Sequence, residues 1–100
     1  MVLDGAPVRI NSNVLFGPGV QLYAATHPLD APTRRTLELT RPISIGDDCW
    51  LGGGTIVCPG VSIGAGCVIG AGAVVTQDVP LYSLAVGNPA RVVRALPPTP

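Results

Sequence analysis

An aliphatic or aromatic side chain recurs every six residues along most of this chain. Stepping by six from Ile45 meets Leu51, Val57, Ile63, Ile69, Val75 and Leu81. Stepping back by six from Leu22 meets Phe16 and Ile10. Two positions before these anchors stand small or branched residues: Val8, Val14, Val20, then Ile43, Cys49, Thr55, Val61, Cys67, Ala73 and Val79. Glycine directly follows five of the ten anchors. A period of six belongs neither to an α-helix nor to a simple alternating strand. It fits a short flat strand and a tight turn, repeated. Three such units close a triangular coil of 18 residues. Anchors one coil apart then stack at the parallel-strand spacing of about 4.8 Å. Ile45 is expected under Ile63 under Leu81, Leu51 under Ile69, and Val57 under Val75. Glycine serves the corners, where backbones approach closely or φ turns positive.

The rhythm breaks in the middle and changes at both ends. Leu22 and Ile45 are 23 positions apart, five more than one 18-residue coil. The excess falls at about residues 26–41, which reads as an external loop on a regular solenoid. Loops on rigid scaffolds commonly carry function. After Leu81 the segment Gly87-Asn88-Pro89-Ala90-Arg91 departs from the period, so about 82–96 is expected to cap the solenoid, with 97–100 a frayed tail. The repeat is already running by Val8, and no capping unit is visible before it. Solenoids need such caps, so another chain or further sequence is expected to cover this end.

Composition narrows the function classes. Hydrophobic residues reach 47% but aromatics only 4%, with 13 glycines and 11 prolines, a mix hostile to helix bundles. The formal net charge is zero and no basic run occurs, which argues against nucleic-acid binding. No apolar run reaches a membrane span, and no secretory signal is visible. Three cysteines, Cys49, Cys58 and Cys67, form no CxxC pair, and a reducing cytoplasmic setting is expected. Cys49 and Cys67 stand one coil apart. A disulfide between them is geometrically conceivable, but two small residues in a core ladder is the simpler reading.

His27 is the single histidine and stands where the external loop begins. An imidazole can accept a proton near neutral pH, as acyl transfer to a hydroxyl requires. A lone histidine is more often a surface residue without a task, so position alone decides little. A zinc site on such a scaffold needs several histidines, and no metal is expected.

Several segments together are distinctive: the six-residue repeats, Ala25-Thr26-His27-Pro28, Ile45-Gly46-Asp47-Asp48-Cys49-Trp50-Leu51-Gly52, Pro59-Gly60-Val61-Ser62-Ile63-Gly64, Gly70-Ala71-Gly72-Ala73-Val74-Val75-Thr76-Gln77-Asp78-Val79-Pro80 and Gly87-Asn88-Pro89-Ala90-Arg91. Over about residues 2–96 the chain resembles the maltose/galactoside/nodulation O-acetyltransferases. That resemblance implies an all-β, left-handed parallel β-helix of about three coils. The hand does not follow from the period, because parallel crossovers are otherwise right-handed. It further implies a homotrimer with acetyl-CoA as co-substrate in a groove between subunits, and a sugar hydroxyl as acceptor. His27 becomes the general base, and Trp50 a wall of the acceptor site. Cofactor contacts carry over to Gly53, Ala71, Thr76, Gln77, Arg91 and Arg94. Gln77 stands where relatives often have lysine, and Gly53 where some have serine. Asp4 matches an acidic acceptor-site position, although Gly5 replaces the neighbouring aspartate of some relatives. Acceptor contacts that the family places before Val2 have no counterpart in this sequence. A non-catalytic or truncated β-helix with an assembly role is therefore the alternative expectation.

Overall fold

A computed structural model describes residues 8–35, 37 and 39–98. The first coil carries β1 (Val8–Ile10), β2 (Leu15–Phe16) and β3 (Gln21–Leu22). An excursion follows, made of β4 (Ala25–Thr26), α1 (Ala31–Arg34) and β5 (Leu39–Thr40). The next coil holds β6 (Ile43–Ile45), β7 (Trp50–Leu51) and β8 (Ile56–Val57). Above it lie β9 (Ser62–Ile63), β10 (Val68–Ile69) and β11 (Val74–Val75). The chain ends with β12 (Ser83–Val86) and β13 (Arg91–Ala95).

These strands sort into three faces. The first is β1-β6-β9, the second β2-β7-β10-β12-β13, and the third β3-β8-β11. All pairs within them are parallel except β12–β13. The six-residue period is realised as expected in the central coils. Trp50 pairs with Val68 and Ile56 with Val74, each 18 positions on. Ile45, Leu51, Val57, Ile63, Ile69 and Val75 all point inward and are buried. Burying each such side chain stabilises by roughly 1.5–3 kcal/mol.

Two expectations need correction. Ile10 pairs with Ile45 and Leu22 with Val57, each 35 positions on rather than 18. The insertion is therefore 17 residues beyond a regular coil, not five. Leu81 does not stack on Ile63. Val79 does, and Ala85 stacks on Ile69, both 16 positions on. The cause is the turn after Val75: Thr76, Gln77 and Asp78 alone separate Val75 from Val79, where five residues separate Val57 from Ile63. The shortening leaves Leu81 outside, 62% exposed. At the other end, Ile10 and Phe16 hold their register but remain 40% and 41% exposed, because no described strand pairs below them.

Small residues decide how closely the coils approach. A methyl group on Gly52 would lie 2.6 Å from the Ala71 backbone nitrogen and 2.9 Å from its Cα. At another corner Asn13, Asp48, Gly66 and Tyr82 all take positive φ. The Tyr82 ring lies against Gly66, which leaves no room for a side chain there.

Buried polar atoms are served by corner carbonyls. Thr55 Oγ1 donates to Gly52 O at 2.7 Å, Cys49 Sγ to Gly64 O at 3.1 Å and Cys67 Sγ to Pro80 O at 3.0 Å. All three thiols are free, so Cys49 and Cys67 are members of a core ladder. Among the described residues no buried side-chain nitrogen or oxygen lacks a partner.

The excursion has its own local logic. Ala25 pairs with Thr40 and Thr26 with Leu39, antiparallel, so the insertion leaves and returns at one place. Asp30 caps α1 by accepting from the Thr33 N–H at 3.0 Å and the Thr33 hydroxyl at 2.6 Å. Pro32 sits in the first turn, where its missing N–H costs nothing.

Gly52→Ala is expected to destabilise the fold by about 1–3 kcal/mol in urea unfolding, the range for overpacking against backbone. Leu29→Ala, at a side chain 97% exposed, should change stability by less than about 0.5 kcal/mol. The two Thr33 hydrogen bonds hold the Asp30 carboxyl below its ordinary value of 3.8. The ionised cap therefore supports α1 above that value and is lost as pH falls through the lowered one. The Asp30 carboxyl carbon should titrate by NMR with a midpoint below 3.8; a higher midpoint would mean that the cap does not form.

Candidate functional site

His27 follows β4 directly, at the base of the excursion. The backbone pairing of Ala25 and Thr26 with β5 fixes where its ring emerges. The ring is exposed, and Nδ1 lies 3.4 Å from the Leu37 carbonyl oxygen. A carbonyl can only accept, so this contact is a hydrogen bond in the tautomer with hydrogen on Nδ1, and in that tautomer Nε2 is the basic nitrogen, with no protein partner among the described residues.

The ring opens into a shallow depression of about 400 Å³, with Thr26, Leu39, Arg41 and Pro59 on its walls. The walls are mostly apolar, with one hydroxyl and one guanidinium. A larger depression of about 610 Å³ runs along the first face, lined by Ser44, Asp47, Ser62, Asp78 and Leu81 among others. It contains no imidazole, and its carboxylates are engaged in structure. Asp47 accepts from the Ser12 N–H and Asp78 from the Ser62 N–H. Acid–base chemistry at a bound hydroxyl is better served at His27.

The other candidates fall in separate places. Gly53 and Ala71 stand one above the other at the corner between the second and third faces, where Gly72 N–H donates to Gly53 O at 2.9 Å. Thr76 and Gln77 form the short exposed turn after β11. That turn, Cys58–Pro59 and the segment entering β4 leave the third face at the same corner, since Cys58 N–H donates to Val75 O and Tyr23 N–H to Val57 O. Trp50 lies on the second face between Leu15 and Val68 and is 54% exposed. Arg91 and Arg94 are exposed on β13, opposite Val86 and Leu84. Asp4 lies outside the described residues. None of Trp50, Gly53, Ala71, Thr76, Gln77, Arg91 or Arg94 lines the His27 depression. One chain therefore separates the candidates over two corners and the second face.

Arg41 and Leu39 escaped the sequence reading although they share the depression with His27. The signal was present in principle: an insertion that leaves and returns at one place must bring its two ends together. Among the described residues no three His, Cys, Asp or Glu side chains gather as metal ligands, and no helix is long and apolar enough to cross a membrane.

Comparison with known proteins gives a consistent answer. Residues 42–77 match the family model described as the hexapeptide repeat of succinyl-transferase. Nodulation protein L of Rhizobium leguminosarum bv. viciae is 56% identical over 93 residues, covering 92% of this chain and 49% of that protein. The crystal structure of a maltose O-acetyltransferase from Clostridium difficile 630 is 47% identical with a TM-score of 0.93, covering 96% of this chain and 52% of that one. A hexapeptide-repeat-containing acetyltransferase from Vibrio cholerae, complexed with acetyl coenzyme A, is 46% identical with a TM-score of 0.91, covering 97% of this chain and 54% of that one. The chain spans about half the length of the curated relatives it matches. With its repeat, parallel faces and these likenesses together, the chain belongs to the hexapeptide-repeat acyltransferase family.

Proposed function

We propose that this chain is the β-helical part of an acetyl-CoA-dependent O-acetyltransferase whose acceptor is a sugar hydroxyl and whose general base is His27. The observation that carries the reading is the Nδ1 contact with the Leu37 carbonyl, which leaves Nε2 free to take a proton. Acetyl-CoA, when bound, supplies an acetyl thioester as the acyl donor. His27 Nε2 accepts the hydroxyl proton while the acceptor oxygen bonds to the acetyl carbon and the carbon–sulfur bond breaks. His27 then returns that proton toward the departing sulfur, so no covalent enzyme intermediate is needed.

The residues present fit such a co-substrate. Gly53 has no side chain and Ala71 only a methyl, so an extended arm can lie close to the backbone at their corner. Arg91 and Arg94 are exposed, with no carboxylate partner among the described residues, and arginine suits phosphate oxygens. Thr76 and Gln77 would add polar contacts from the short turn. Trp50 stands on a different face from His27, so it can wall the same acceptor site only from a second copy. This favours a homotrimer of left-handed helices of about three coils, with each cofactor groove between subunits. The free thiols suit a cytoplasmic location, and Asp4 is retained as an acceptor contact.

A second reading is a β-helical piece with an assembly role. The half-exposed apolar side chains of Ile10 and Phe16 favour it, since they are surface that a further coil could cover.

Purified protein given acetyl-CoA and a panel of sugars should release free thiol in a sugar-dependent way. His27→Ala should keep the same circular dichroism and lower the rate by about 10²-fold or more, the scale of a general base. Unchanged turnover would remove His27 from the reaction. Arg91→Ala should raise the KM for acetyl-CoA more than that for the acceptor. An effect confined to the acceptor would reverse that assignment.

A further inference from the structure

Arg41 is held at both ends of its backbone. Its N–H donates to Ala24 O at 2.8 Å, and its carbonyl accepts from Gly60 N–H at 3.1 Å. Its side chain runs along Gly60: a methyl there would stand 3.4 Å from Arg41 Cβ and 3.6 Å from Cδ. The stem is thus laid against a glycine corner, and the residue forms a wall of the depression that also contains His27. Among the described residues the guanidinium has no hydrogen-bond or carboxylate partner. The described carboxylate of the excursion, Asp30, is engaged with both the N–H and the hydroxyl of Thr33. The remaining walls, Leu39, Pro28, Pro59 and Thr26, supply no negative charge.

An unpaired guanidinium on a residue that lines the same depression as a base, among apolar walls, is an arrangement for an oxyanion. Arginine presents a planar fork that takes a carboxylate or phosphate with two parallel hydrogen bonds. A neutral sugar hydroxyl can use only part of that fork. We infer that Arg41 is a specificity-determining residue and that the preferred acceptor is an acidic sugar, with a carboxylate or phosphate near the hydroxyl that His27 deprotonates. The inference rests on the O-acetyltransferase reading for the reaction but not for the binding. The same oxyanion chemistry could come from the phosphates of CoA, and the experiment separates the two sources.

Calorimetric titration of the CoA-saturated protein with galacturonate and with galactose compares a matched acidic and neutral pair. The acidic sugar should bind about ten-fold more tightly or better, the scale of a charge-assisted hydrogen-bond pair. Arg41→Gln should reduce the preference to within about two-fold, and Arg41→Lys, which keeps charge without the fork, should fall between. Several results would overturn the assignment: equal binding of the two sugars, no binding of either, a preference that survives Arg41→Gln, or an equal loss for both. A raised KM for acetyl-CoA with the acceptor preference unchanged would move the oxyanion to the cofactor, and so would also overturn it. Thiol release with the same two sugars runs alongside. Silence there counts against acetyl transfer, whereas the calorimetric comparison still decides the role of Arg41.

Discussion

The coils of this protein meet backbone to backbone at their corners, and nearly everything else depends on that approach. Gly52 lies against Ala71 with no space for a methyl group between them. Such contact fixes the vertical spacing at that of parallel strands and aligns the anchors into continuous columns. Leu51 and Ile69 then bury each other almost completely, although each strand is only two residues long. No single strand here could be stable alone. Stability is distributed over neighbour-to-neighbour contacts, as in other solenoids.

This constraint explains how a 17-residue insertion is tolerated without disturbing the ladder. β4 and β5 pair with each other, and Arg41 N–H reaches back to Ala24 O. The chain is thereby returned to the column it left, and Ile10 still finds Ile45. His27 and Arg41 stand on the two limbs of that return. Their separation is set by backbone hydrogen bonds at the foot of the loop and not by its tip. Chemistry placed at the foot inherits the rigidity of the solenoid, while the loop above can vary in length and composition.

Much of this was legible from the residues. The period of six located the buried columns from Ile45 to Val75, and the family resemblance pointed to His27. What misled was a two-residue shortening after Val75. Both the anchors and the residues two before them point inward, so deleting two residues exchanges one inward series for the other. Val79 and Leu81 each fit a series, and alternation alone cannot tell which is buried. The interior of the excursion was opaque for a different reason: it has no period. Asp30, Pro32 and Thr33 nonetheless spell a capped helical turn, a signal that depends on local hydrogen bonding and not on repetition. The separation of Trp50 from His27 within one chain was missed because the repeat fixes the face of Trp50, whereas the excursion that carries His27 has no period.

The reversal at β13 has a consequence for growth. Parallel coils can in principle add without limit, each new strand templated by the last. β13 runs against β12 and takes up its free edge. A strand arriving beyond it would meet the opposite polarity, and two arginines, Arg91 and Arg94, flank the approach. The solenoid is therefore terminated on this side by a change of strand direction, a stop that rests on backbone polarity and not on any one side chain.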